Sequence, residues 1–173
     1  MTTPTIDAKD RKARKDCEFS SLKTPITTES ESATAAVGRD LAARLSVGDV
    51  VLLYGDLGAG KTAFVRGMAE GLGASPEEVS SPTFTLVQEY RSGRVTLVHV
   101  DLYRLNDSRE IDDLGLDEIA VSSVLTIEWA DKLPNGWPGA IEVRFQHGAG
   151  DARSLTIDDP ITRSSDDPIH SDR

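Results

Sequence analysis

The run LLYGDLGAGKTAF, residues 52–64, constrains the fold more than any other stretch of the chain. An apolar segment, Val50 to Tyr54, feeds a loop with glycines at 55, 58 and 60, and the loop ends on Lys61 and Thr62. Behind it, Phe64, Met68 and Leu72 recur at helical spacing. The spacing predicts a buried strand, a tight glycine turn and an amphipathic helix in immediate succession. Glycines let successive backbone N–H groups turn inward as an anion nest. A helix opening at Lys61 aims its positive end at the same point. Gly55, Gly60, Lys61 and Thr62 satisfy G-x-x-x-x-G-K-[ST], a pattern that binds nucleotide phosphates. A chance match is expected in under about 1% of chains of this length. In such a loop the lysine reaches the β- and γ-phosphates and the hydroxyl can ligate Mg²⁺.

The rest of the chain supplies a scaffold for that unit. Thr28 and Glu31 stand three apart before apolar residues at 37, 41 and 45, the pattern of a capping box opening a helix. FTLVQEY and RVTLVHVDLY flank RSG and predict a β-hairpin. SREIDDLGLDEIA reads as an acidic helix or helix–turn, SVLTIEW as a buried strand, and AIEVRFQ as a half-exposed strand with Ile141, Val143 and Phe145 on one face. SLTID can return beside it. The expected fold is an α/β, P-loop NTPase-like sandwich: a central mixed β-sheet, helices on its faces and antiparallel edge strands. One domain over residues 17–158 is expected, with polar, disordered tails at 1–16 and 159–173.

Composition narrows the function classes. The net charge is −10, which argues against a chain whose main task is gripping nucleic acid or an anionic membrane. The one dense basic run, KDRKARK, lies in the N-terminal tail and reads as solvated. The single cysteine, Cys17, excludes an intramolecular disulfide. No run of ~20 apolar residues could span a bilayer, and MTTPTIDAKDRKARKDC has no apolar core of a secretory signal. The expectation is a soluble cytoplasmic protein with no membrane partner.

A nucleotide site on such a loop needs a carboxylate at a neighbouring strand end. RVTLVHVD ends on Asp101 and SVLTIE on Glu128, and both strands can open where ligands of open α/β sheets sit. Either acid could also be an ordinary solvated strand end. Thr83, in SSPTF, fits a γ-phosphate-sensing loop and equally a turn residue beside Pro82. The guanine-reading N-K-x-D is absent, and DDLG (112–115) lies in the acidic helical stretch. ATP is therefore favoured over GTP.

GDLGAGKT, SPTFTLVQEY, HVDLYRL and IEW, in this order and spacing, resemble the TsaE (YjeE) family of ATPases of bacterial tRNA threonylcarbamoyladenosine biosynthesis. The resemblance covers about Thr28 to Ile157. It implies ATP and Mg²⁺ as cofactors, and TsaD-type transferase and TsaB-type paralogue partners. It implies an accessory ATP cycle that resets or regulates the partner complex, with tRNA met only indirectly. It implies a phosphate cradle at Asp56, Leu57, Gly58, Ala59, Gly60, Lys61, Thr62 and Ala63, with Lys61 also serving hydrolysis. Thr62 and Glu128 are the implied magnesium ligands, Asp101 the acid needed for hydrolysis, and Thr83 the switch-like threonine. Glu31 and Arg153 match positions implied to lie near the nucleotide. Trp129 falls beside the metal-binding acid and also reads as a core aromatic. Phe84 stands where a tyrosine is common, and His99 is assigned to its strand rather than to catalysis. The basic N-terminal extension has no family counterpart.

Two other readings share the loop. A small-molecule kinase would need an acceptor pocket and an Arg-bearing lid, whereas Arg91 and Arg94 flank a hairpin turn. A non-catalytic nucleotide-gated adaptor would share every binding residue, with only Asp101 and Glu128 arguing for turnover.

Overall fold

The structure, a computed structural model, describes residues 24–91 and 94–160. The expected N-terminal tail, the first residues of the expected domain with Cys17, most of the expected C-terminal tail and two residues of the RSG turn lie outside the described residues.

Seven strands form one sheet in the order β1-β7-β6-β2-β5-β4-β3. They are β1 (Ile26–Thr28), β2 (Val50–Tyr54), β3 (Val87–Tyr90), β4 (Leu97–Asp101), β5 (Val124–Glu128), β6 (Ile141–His147) and β7 (Arg153–Asp158). The strands β4, β5, β2 and β6 run parallel. β3 joins one edge antiparallel, and β7 and β1 join the other. The central strand β2 is an unbroken apolar run because both its faces are covered. β6 alternates, with Ile141, Val143 and Phe145 buried.

Helices α1 (Glu31–Ala42) and α2 (Lys61–Leu72) cover one face. Leu41, Phe64, Met68 and Leu72 pack there against Val51, Leu53, Val143 and Leu155. The short helices α3 (Ser108–Asp112) and α4 (Leu116–Ser122) cover the other, with Ile111, Leu116 and Ala120 set against Leu52, Val98, Val100, Leu125 and Ile127. The acidic stretch is thus two helices, broken at Gly115, whose φ of 64° admits no ordinary helix residue.

Two features of α1 depart from the sequence expectation. Its N-cap is Ser30, whose Oγ accepts from the Ala33 N–H at 3.1 Å. Thr28 instead ends β1, buried, with its hydroxyl 2.8 Å from that of Thr34. A three-residue strand pairing with β7 leaves almost no local periodicity to read. Leu45 lies beyond the helix end yet is buried in the same cluster.

Helices α1 and α2 touch through glycine. A methyl group built on Gly67 would lie 1.7 Å from the Ala35 carbonyl oxygen. One on Gly38 would lie 2.1 Å from the Phe64 oxygen, and one on Gly71 2.7 Å from that of Arg39. The backbones therefore meet where larger residues would hold them apart. Past the hairpin, Arg94 donates to the Leu45 and Ala42 carbonyls at 3.0 and 2.8 Å, satisfying acceptors at the end of α1.

Candidate functional site

The sheet decides where the chemistry sits. Asp101 and Glu128 are register partners at the carboxyl ends of β4 and β5, and Glu128 is also paired with Leu53 of β2. The glycine loop leaves the same end of β2. These elements wall a cleft of about 260 Å³. Glu31, Leu57, Gly58, Gly60, Lys61, Thr62, Ala63, Thr83, Asp101, Glu128 and Arg153 all line it. Asp56 and Ala59 do not; Asp56 is exposed, and Ala59 turns its methyl into the core beneath the loop.

The loop conformation follows from its residues. Gly55, Gly58 and Gly60 take φ of 150°, 77° and 103°. A side chain at Gly55 would strike Phe145, and one at Gly60 would strike Arg153, whereas Gly58 faces open space. Gly60 caps α2 with no side-chain acceptor for the first-turn N–H groups, so the helix presents bare donors to the cleft. Lys61 is buried and bends back to donate to the Gly55 and Asp56 carbonyl oxygens. Its Nζ lies 4.2 Å from the centroid of the Trp129 ring, a cation–π distance. Burial holds the Lys61 ammonium below the ordinary lysine range, and Glu128, Asp101, Asp56 and Asp131 pull it back upward.

The carboxylates are held by named donors. Thr62 Oγ1 donates to Glu128 Oε1 at 3.1 Å, and His99 Nε2 lies 2.8 Å from the same oxygen. Asp101 Oδ2 accepts from Thr83 Oγ1 at 2.7 Å and from Ser81 Oγ at 3.2 Å. Asp101 Oδ1 accepts from the Tyr103 N–H at 2.8 Å. The segment carrying Ser81 and Thr83 is not the strand start expected from FTLVQEY. It is a turn closed by Leu86 at φ 65°, and β3 begins only at Val87. Phe84 is 83% exposed at its tip.

Trp129 has φ 58° and packs against Tyr103, with ring centroids 4.9 Å apart and planes tilted by 45°. It is half-buried, with one side packed on the second core cluster and another lining the cleft. A left-handed tryptophan next to Glu128 is backbone strain of the kind that clusters at functional sites. Arg153, on the late strand β7, has a buried Nε without a hydrogen-bond partner among the described residues. Arg66, Ser81 and Tyr103 also line the cleft, and sequence reasoning passed over all three. Arg66 follows Thr62 by one helical turn on α2, the one signal that could have found it. His99 belongs to its strand, as expected, but it also reaches Glu128.

Comparison with known proteins adds a decisive observation. The sequence model of the family described as "Threonylcarbamoyl adenosine biosynthesis protein TsaE" matches residues 28–155. The chain belongs to the TsaE family. It is 42% identical over 126 residues to the tRNA threonylcarbamoyladenosine biosynthesis protein TsaE of Bacillus subtilis, covering 72% of this chain and 78% of that one. To the Treponema pallidum protein of the same name it is 43% identical over 126 residues, covering 72% and 92%. The crystal structure of Bacillus subtilis YdiB superposes with a TM-score of 0.62 at 33% identity, covering 78% of this chain and 83% of that one. The matched TsaE segment begins at the last residue of β1 and ends in β7, so it contains every cleft residue named above. No helix among the described residues is long and apolar enough to cross a membrane.

Proposed function

We propose that this TsaE-family chain is an Mg²⁺-dependent ATPase. Its nucleotide cycle resets or regulates a TsaD–TsaB-type threonylcarbamoyl transferase that modifies the adenosine beside the tRNA anticodon. The observation that carries the reading is the convergence of three groups at one sheet end: the glycine loop, the Thr62–Glu128 pair and the Asp101 cluster. The residues fit a nucleotide and a magnesium ion. The uncapped first turn of α2 and the orphaned Arg153 Nε call for an anion. Magnesium at phosphates takes only one or two protein oxygens, and Thr62 Oγ1 and Glu128 supply that number.

Bound Mg²⁺–ATP supplies the anhydride to be cleaved and the metal charge that offsets its developing negative charge. The chain's own groups do the rest. The N–H groups of residues 58–62 and the Lys61 ammonium bind phosphate oxygens, and Lys61 exchanges its two loop carbonyls for them. Thr62 and Glu128 would hold the metal. Asp101 Oδ2, freed from the Ser81 and Thr83 hydroxyls, orients the attacking water and accepts its hydrogen bond. Thr83 and Ser81 are then available to the new phosphate. The turn that carries them has exposed Phe84 at its tip, so the state of Asp101 is coupled to a surface a partner can feel.

A kinase reading is weaker, because Arg94 is occupied in capping α1 and Arg91 pairs with Glu89. Phosphate release is the test, measured on the full chain with Mg²⁺–ATP, alone and with purified TsaD- and TsaB-type proteins. Release stimulated by the partners, without a phosphorylated product, is expected. A complex that forms on ATP without any phosphate release would favour the adaptor instead.

A further inference from the structure

We propose that His99 is a positioning residue that fixes the metal-binding oxygen of Glu128. This rests on the reading of Glu128 as a magnesium ligand. His99 is fully buried in the middle of β4, a position where a parallel strand ordinarily carries an apolar residue. It is paired with Thr126 and follows Leu97 by two, so its ring lies on the sheet face covered by α2, as Glu128 does.

The geometry assigns the ring's proton. A carboxylate oxygen only accepts, so the 2.8 Å contact requires a proton on Nε2. Nδ1 is buried with no hydrogen-bond partner among the described residues, so the contact with Glu128 is the ring's one polar tie there. The ring is therefore an Nε2–H donor aimed at one atom. Glu128 is itself only 3% exposed and needs donors to remain a carboxylate at that depth. Thr62 and His99 both use Oε1. The carboxylate is pinned through that oxygen from two sides, which fixes the direction in which its other oxygen can point. A Thr62 hydroxyl that ligated a metal through a lone pair could keep its proton on Oε1, and His99 would hold the same oxygen from the opposite side. A hydrogen-bonded partner of this kind, behind a ligating carboxylate, typically contributes 10–100-fold to metal affinity or activity.

The test uses the full chain, ATP and Mn²⁺ as the metal probe. Protein-bound Mn²⁺ is read by EPR with the chain in excess over ATP, and metal-free ATP affinity is read separately in EDTA. H99F is expected to weaken Mn²⁺ binding by about 10–100-fold while metal-free ATP affinity stays within about twofold. H99Q, which can place an N–H near the position of Nε2, is expected to restore most of the loss. In the E128Q background H99F should add nothing, because the effect travels through that carboxylate. Parental Mn²⁺ affinity in H99F overturns the proposal, and so does equal loss of metal-free ATP binding, or an H99Q no better than H99F. If H99F does not fold, the imidazole ¹⁵N spectrum of the parent decides: the Nε2–H pattern supports the proposal and an Nδ1–H pattern overturns it. A parent that binds no ATP would instead overturn the ATPase reading itself.

Discussion

Replacing Gly67 by alanine sets two physical effects against each other. Gly67 lies in the interior of α2, where alanine is favoured over glycine by about 1 kcal/mol. Propensity alone therefore predicts a more stable protein. The structure predicts the opposite, because the new methyl would lie 1.7 Å from the Ala35 carbonyl oxygen, on backbone that cannot rotate away. Real contacts of this type stay beyond 3.0 Å, so α1 and α2 must separate by more than an ångström. Overpacking of a close-packed core costs about 1–3 kcal/mol and occasionally more, and a backbone collision belongs at the upper end. The net expectation is a loss of about 2 kcal/mol after the propensity gain. At roughly 2–4 °C per kcal/mol, the melting midpoint should fall by about 4–8 °C. The separations also predict a ranking: Gly67→Ala most harmful, then Gly38→Ala, then Gly71→Ala. The site should feel the change too, since α2 opens with Lys61 and Thr62. The thermal shift given by Mg²⁺–ATP should shrink in Gly67→Ala. Urea unfolding and thermal scans with and without nucleotide measure all of this. An unchanged or raised midpoint for Gly67→Ala would refute the packing argument, as would the reverse ranking.

Lys61→Ala should lose nearly all ATP affinity while remaining folded; equal binding by titration calorimetry would remove the loop from the site. Asp101→Asn and Glu128→Gln should keep nucleotide and lose phosphate release, and full turnover in both would return them to ordinary strand ends. Saturating Mg²⁺–ATP at about 100 times its dissociation constant should stabilise the chain by about 2.7 kcal/mol, a rise of roughly 5–10 °C; AMP should give less, and equal shifts would contradict phosphate binding at the loop. The depressed Lys61 sets a pH dependence. The unfolded lysine binds its proton more tightly than the folded one, so raising the pH towards 10.5 should relieve a cost to the empty protein. ATP affinity should move the other way, falling over that range because the site needs the ammonium. An affinity flat between pH 8 and 10.5 would contradict this.

What was legible in the sequence was local or chemically loud. The strand, glycine turn and helix around Lys61 announce themselves by period and by residue type within a dozen positions. Asp101 and Glu128 were readable because each ends an apolar run, and a parallel sheet brings such ends together. What was missed depends on contacts distant in sequence. Nothing near Thr28 says that it pairs with Arg153, so local pattern alone puts the cap two residues before Ser30. The glycines at 38, 67 and 71 look like weak helix positions until the two helices are set against each other. Leu86 gives no local sign of its left-handed backbone, and so the hairpin strand was expected to start at Phe84. The tie from His99 to Glu128 spans two strands and could not be read from either alone.

The edge strand β7 has a consequence for how the chain becomes competent during synthesis. Arg153 leans on Gly60, yet about 90 residues separate it from Thr62. At about 5–20 residues per second, the ribosome delivers the glycine loop roughly 5–20 s before the strand that completes its wall. Throughout that interval the cleft lacks one side, and β6, made only just before β7, then waits with its outer edge unpaired. A nascent chain stalled before residue 153 would expose its loop without holding nucleotide as the finished protein does. ATP retention by ribosome-bound chains of increasing length would therefore report the arrival of β7.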